Sequence, residues 1–300
     1  MWNFGSAERP YSTSAAGTVA VAERPRSQTQ PQAVRGSGGR NHPRLSVCLE
    51  AVFHRTRPFE ARLDEVRQAG VDAFEFWSWG DKDLNALDAR RRGLGLHVAN
   101  FACERGGPLT LPESAERFVP ALRASIDTAR RLHCRRMMAN VGDEIVGVPR
   151  EKQAGHIIEA LRAGAPLLEE SGITLCVEPQ NRRDFKDFFL CTLPDGLRII
   201  REVDSPNVRL LYDVYHQQIT EGDIINTMTE NIDWIGHIHV ADVPGRHEPG
   251  TGEINFLNVF RAIVQTGYTG YVGFEWWPIG EDHGATVVAA RELFEKAMGT

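Results

Sequence analysis

Four residues able to bind a divalent cation each close a short apolar run. Glu178 follows Leu175-Cys176-Val177, Asp213 follows Leu210-Leu211-Tyr212, His239 ends Ile235-Gly236-His237-Ile238-His239, and Glu275 follows Val272-Gly273-Phe274. Successive members lie 35, 26 and 36 residues apart, about one strand, one helix and two connections of a β/α repeat. Three carboxylates and one imidazole suit one divalent metal: Mg2+, Mn2+ or Co2+, the imidazole tilting the preference away from Mg2+. A strand-end carboxylate taken alone commonly caps the next helix or pairs with an arginine. Capping does not require the whole set on four consecutive strands, so the joint occurrence points to a shared centre.

The elements that must position these residues are legible from Leu45 onward. Strands are expected at Leu45–Glu50, Ala73–Trp77, Leu94–Phe101, Arg136–Asn140, Ile173–Glu178, Val208–Asp213, Trp234–Val240 and Tyr271–Glu275. Helical segments alternate with them, among them Pro58–Ala69, Pro112–Leu132, Pro149–Glu170 and Phe256–Thr266. Several open with proline and stop at glycine, as at Gly70, Gly172 and Gly267. Eight of each in strict alternation specify an α/β fold, a single-domain (β/α)8 TIM barrel over residues 44–300, whose strand C-termini all open on one face. No GxGxxG follows the first strand, which favours a metal over a dinucleotide. Residues 1–43, rich in Ser, Gly, Pro, Gln and Arg, are expected to form a disordered N-terminal tail.

Composition narrows the classes of partner. The 300 residues are 42% hydrophobic and 25% charged, as in ordinary globular proteins. No apolar run reaches the roughly 20 residues of a membrane span. The net charge is −6, but residues 1–44 carry +4 and the remainder −10. An acidic body argues against nucleic acid, and the Arg130–Arg136 cluster reads as a solvated basic helix end. Cys48, Cys103, Cys134, Cys176 and Cys191 lack CxxC spacing and read as free buried thiols, which implies a reducing cytoplasm.

Several strings just past the strand ends carry a family likeness. They are Glu178-Pro179-Gln180-Asn181-Arg182-Arg183-Asp184, Asp213-Val214-Tyr215-His216-Gln217-Gln218, the run from Gly236 through Asp242-Val243-Pro244-Gly245-Arg246-His247 to Asn255, and Gly267 to Glu275. In order and spacing the chain resembles the sugar-isomerase-like barrel superfamily of xylose isomerase, endonuclease IV and the ketose 3-epimerases, most closely its hydroxypyruvate isomerase branch. The resemblance implies metal ligation by Glu178, Asp213, His239 and Glu275, with Glu178 and Glu275 also catalytic in moving protons. It further implies that His216, oriented by Asp184, and Arg246 bind substrate. A carboxylate beside an imidazole would fix its tautomer. His239 stands where hydroxypyruvate isomerases often have Gln and the 3-epimerases have His. The segment Phe185-Lys186-Asp187 lacks the Pro-Gly-Tyr of the isomerase branch. An abasic-site endonuclease would need several more histidines and a basic groove.

His97 and Asn100 on the third strand, His54 after the first, and the pairs Trp77/Trp79 and Trp276/Trp277 are further candidates to line the pocket, aromatic walls being suited to carbohydrate C–H faces. The chemistry these residues would support is proton transfer next to a carbonyl: returned to the neighbouring carbon, the proton isomerises the substrate; returned to the other face of the same carbon, it epimerises. The leading expectation is an intramolecular isomerase on a small hydroxy-carbonyl substrate, hydroxypyruvate to tartronate semialdehyde being the type. The alternatives are a ketose 3-epimerase, a dehydratase and a non-catalytic binding protein. A homo-oligomer is compatible with an aromatic rim.

Overall fold

The computed structural model describes residues 42–53 and 57–299. All but two residues of the expected tail, and His54, lie outside the described residues.

Eight parallel strands form one sheet: β1 Arg44–Cys48, β2 Ala73–Phe76, β3 His97–Phe101, β4 Arg136–Ala139, β5 Thr174–Val177, β6 Val208–Asp213, β7 Ile235–Val240 and β8 Tyr271–Phe274. Ladders run continuously in the order β3-β2-β1-β8-β7-β6-β5-β4. The ring is completed between β3 and β4 by one parallel bridge, Ala102 with Met138, and by Cys103 N–H donating to the Met138 carbonyl at 2.8 Å. The α-helices are α1 Leu49–Val52, α2 Arg62–Gln68, α3 Leu84–Leu94, α4 Ser114–Leu132, α5 Arg150–Ser171, α6 Leu193–Val203, α7 Val214–Thr220, α8 Ile224–Glu230, α9 Phe256–Gln265 and α10 His283–Met298. The TIM barrel is thus present, with ten α-helices among the described residues where eight helices were expected. One turn of helix continues β1 directly, and the chain after β6 is split into α7 and α8.

Helices cover the outer face and side chains fill the inside, so strands such as β2, β5, β6, β7 and β8 are buried at every position and read as continuous runs. Strand β6 keeps its expected bounds. Strands β2, β5 and β8 stop one residue earlier than expected, because Trp77, Glu178 and Glu275 turn out of the ladder onto the rim. Strand β3 begins at His97 instead of Leu94: Leu94 ends α3, and Gly95 at φ +68° closes it. All five cysteines are free and buried. Among the described residues no helix is long and apolar enough to cross a membrane.

Candidate active site

Register brings the four expected ligands to one rim. Asp213 pairs with His239 across β6 and β7, and His239 with Gly273 across β7 and β8. Glu178 and Glu275, one residue past their strands, are tethered by their own N–H groups to the carbonyls of Ala139 at 3.0 Å and Val240 at 3.2 Å. One donor atom from each of Glu178, Asp213, His239 and Glu275 lies within 4.8 Å of the other three, and no member is more than 4% exposed. Asp213 divides its oxygens: Oδ1 accepts from Tyr215 N–H at 2.8 Å and caps α7, while Oδ2 faces His216 Nε2 at 3.5 Å. Capping the helix with one oxygen therefore leaves the other directed at the cluster.

So dense a set of charges perturbs Glu178, Glu275 and His239. Burial, and then repulsion by Glu275, pushes the Glu178 carboxyl up to about 8. Burial would raise Glu275 too, but His239 and Arg246 hold it well below the usual carboxylate range. Burial would lower His239, yet Glu275 and Glu75 on either side raise it well above an ordinary imidazole. Glu178 Oε1, fully enclosed, has no hydrogen-bond partner. An uncompensated buried carboxylate oxygen converging with two other carboxylates and an imidazole nitrogen is what a divalent cation would satisfy, so the residues fit such an ion.

Arg246 closes the cluster from above. Its guanidinium bonds the Glu275 carboxylate, lies 3.4 Å from Asp213 Oδ2 and stacks 5.2 Å over the Tyr215 ring. The turn that presents it places Arg246 at φ +58°, a costly conformation for a residue with a side chain. Asp242, wholly buried, holds that loop by accepting from the N–H groups of Val243, Gly250, Gly252 and Ile254 at 2.9, 2.9, 2.9 and 3.1 Å. The Asp-Val-Pro-Gly-Arg string is thus a scaffold for one arginine.

His216 is buried with Nε2 facing the cluster and Nδ1 2.7 Å from the Asn181 amide nitrogen. Asn181 Oδ1 accepts from the N–H groups of Arg183 and Asp184, so the amide nitrogen is the end that donates to His216. Nδ1 is then the acceptor and Nε2 carries the proton. Burial keeps the ring neutral by pushing it down to about 4. The expectation that Asp184 orients His216 is corrected: Asp184 is exposed, accepts from Asn181 Nδ2 at 3.1 Å and from Tyr215 OH at 2.7 Å, and reaches the imidazole through those two residues and not directly.

Other expectations also change. Trp276 is fully buried and its Nε1 donates to Thr286 on α10 at 3.2 Å; strand alternation that turns Glu275 inward turns Trp276 outward, so it does not line the pocket. The indole beside the cluster is instead Trp77, edge-on to Trp277 at 5.9 Å, and Trp77 Nε1 donates to Glu275 Oε1 at 2.6 Å. His97 is exposed at the first residue of β3, the end of the barrel opposite the cluster. Asn100 is buried in register with Glu75, and neither atom of its amide has a hydrogen-bond partner. Sequence reasoning missed Asn181, Asp242 and the part played by Glu75, whose Oε2 lies 3.2 Å from His239 Nε2. Burial opposes ionisation of Glu75, but His237 and His239 hold it down to about 2.

Comparison with known proteins agrees with this fold. Residues 63–297 match the family described as Xylose isomerase-like TIM barrel, and the chain belongs to that family. It is 34% identical over 242 residues to a hydroxypyruvate isomerase of Escherichia coli (strain K12), covering 78% of this chain and 93% of that one. It is 30% identical over 246 residues to a 2-oxo-tetronate isomerase of Cupriavidus necator, covering 79% and 93%. The solved structure of an L-ribulose 3-epimerase superposes with a TM-score of 0.74 at 26% identity, covering 86% of this chain and 96% of that one. The protein is an enzyme of the isomerase class.

Proposed function

We propose that the chain is a metal-dependent isomerase of a small 2-oxo acid bearing a hydroxyl group, of the hydroxypyruvate to tartronate semialdehyde type. The observation that carries the reading is the convergence of Glu178, Asp213, His239 and Glu275 donor atoms within 4.8 Å in a buried rim. These four residues would hold one divalent ion, Mn2+, Mg2+ or Co2+. When bound, such an ion supplies the positive charge that an enediolate needs. Glu178 and Glu275 flank the cluster in opposed environments, one pushed toward holding a proton and the other toward releasing it, which is the arrangement a proton shuttle needs. One of the pair takes the proton from the hydroxyl-bearing carbon, it is returned at the former carbonyl carbon, and the hydroxyl proton passes from the one oxygen to the other, so that carbonyl and hydroxyl exchange places. His216 offers Nε2–H to a substrate oxygen, Arg246 offers a guanidinium to the carboxylate, and the Trp77/Trp277 wall excludes water. Asn100 offers an unengaged amide from inside the barrel. Relatives named as acting on hydroxypyruvate and 2-oxo-tetronate support a carboxylate-bearing substrate. Free thiols throughout fit work in a reducing compartment such as the cytoplasm.

Ketose 3-epimerisation is the second reading, favoured by the imidazole at His239 and by the likeness to the L-ribulose 3-epimerase structure. NMR of metal-loaded protein in D2O separates the two. Hydroxypyruvate turning over with deuterium entering the product supports the isomerase; inversion and exchange at C3 confined to ketoses moves the protein to the epimerases. Loss of both in Glu275→Gln, with the fold kept, is expected from a two-carboxylate mechanism, and activity surviving that change overturns it.

A further inference from the structure

Beneath His239 lies a second group of buried polar residues that the proposed chemistry does not use. Glu75 projects into the barrel from β2, a strand whose other residues are apolar, and is 3% exposed. Its Oε2 meets His239 Nε2 at 3.2 Å and lies 2.9 Å from His237 Nε2. Its Oε1 accepts from Ser46 Oγ of β1 at 3.2 Å. The barrel leaves room for this arrangement at one place: a Cβ on Gly273 of β8 would sit 1.9 Å from Glu75 Oε1 and 2.8 Å from His239 Cδ2. Four strands thus contribute to one contact with the far edge of a single imidazole. That edge matters because the near edge, Nδ1, lies 3.2 Å from Glu275 Oε2 and 3.9 Å from Glu178 Oε1, inside the ligand cluster.

A neutral imidazole carries one proton, and a carboxylate can only accept. Facing Glu75, Nε2 keeps its hydrogen; Glu275, already bonded by Arg246 and by Trp77 Nε1, makes the weaker claim on Nδ1, which is left with the lone pair that a metal requires. We propose that Glu75, steadied by Ser46 and His237 and accommodated by Gly273, is a positioning residue that fixes the tautomer and ring orientation of His239 for metal ligation. The proposal rests on reading the four-residue cluster as a metal centre. Glu75, His237 and His239 are themselves close enough to chelate an ion. That alternative would require His239 to give up both protons and bridge two cations, and Ser46 already engages one Glu75 oxygen.

The test is Mn2+ titration of the full chain followed by EPR of free Mn2+, together with 15N NMR of the His239 ring in metal-free protein at a pH high enough for the ring to be neutral. Wild type should bind one Mn2+, and Glu178→Gln should lose it. Glu75→Gln, whose amide can present either a donor or an acceptor to His239, should weaken binding about 10- to 100-fold and give a mixture of ring tautomers. Affinity and tautomer both unchanged in Glu75→Gln would overturn the proposal. Two Mn2+ per wild-type chain, with one lost in Glu75→Gln, would overturn it in favour of a second metal site. Absence of any binding by wild type would overturn the reading of the four-residue centre itself, and this inference with it. If Glu75→Gln does not fold, Ser46→Ala removes only one hydroxyl and should still weaken binding by about threefold or more; equal affinity would count against the proposal.

Discussion

Trp77→Phe isolates one bond to Glu275. The two Glu275 oxygens are held differently: Oε2 contacts both Arg246 and His239, whereas Oε1 receives the indole N–H at 2.6 Å. Phenylalanine keeps an aromatic ring beside Trp277 and removes only the donor. A hydrogen bond to a charged group contributes about 1.5–3 kcal/mol, and the oxygen it leaves behind is buried, so a cost of about 2 kcal/mol is reasonable. If the bond holds Glu275 in its reacting orientation, that cost falls on the barrier, and kcat should drop about 30-fold with KM little changed. If it only supports the fold, the same cost lowers the melting temperature by about 4–8 °C and leaves kcat alone. Deuterium exchange at saturating substrate, run beside a thermal melt, separates the two. A kcat within about twofold of wild type would refute the assignment of Trp77 to the reacting carboxylate.

Three further outcomes follow from the same geometry. Exhaustive chelation should abolish turnover and lower the melting temperature, both restored by Mn2+; at a hundredfold excess over its dissociation constant a bound ion stabilises by about 2.7 kcal/mol, and a melting temperature indifferent to Mn2+ would contradict the metal centre. Because Glu178 is raised to about 8 in the metal-free fold, its proton competes with the cation, so affinity should climb as pH rises from about 6 toward 8 and then level; isothermal titration showing a flat or falling trend would contradict that sign. Asn181→Asp replaces the donor facing His216 Nδ1 with an acceptor and should raise the His216 titration from about 4 toward neutrality, visible by NMR, whereas an unmoved titration would remove the tautomer assignment.

The convergence of Glu178, Asp213, His239 and Glu275 was legible because each interrupts an apolar run, and a closed parallel barrel leaves no choice about which rim those interruptions reach. Strand boundaries erred where the chain leaves the ladder to present a functional group, as at Trp77, Glu178 and Glu275. Trp276 was misplaced although alternation from Glu275 already turned it outward. His97 was misplaced because its strand was begun three residues early, across the glycine that stops α3. Glu75 carried a signal that went unread: one carboxylate within Ala73-Phe74-Glu75-Phe76, too short and too apolar to be a surface strand. His237, two residues before His239 and so on the same face, carried the matching one. Asn181 and Asp242 stand in the family-like strings, but their roles depend on loop conformations that spacing cannot supply.

The single bridge between β3 and β4 gives the ring one loose joint. The strands bearing the quartet, β5 to β8, lie within the unbroken run of ladders, and the joint falls outside that arc. Amides lining it should exchange with solvent sooner than those of β6 or β7. A substitution that spreads β3 from β4 should therefore leave Glu178, Asp213, His239 and Glu275 in register.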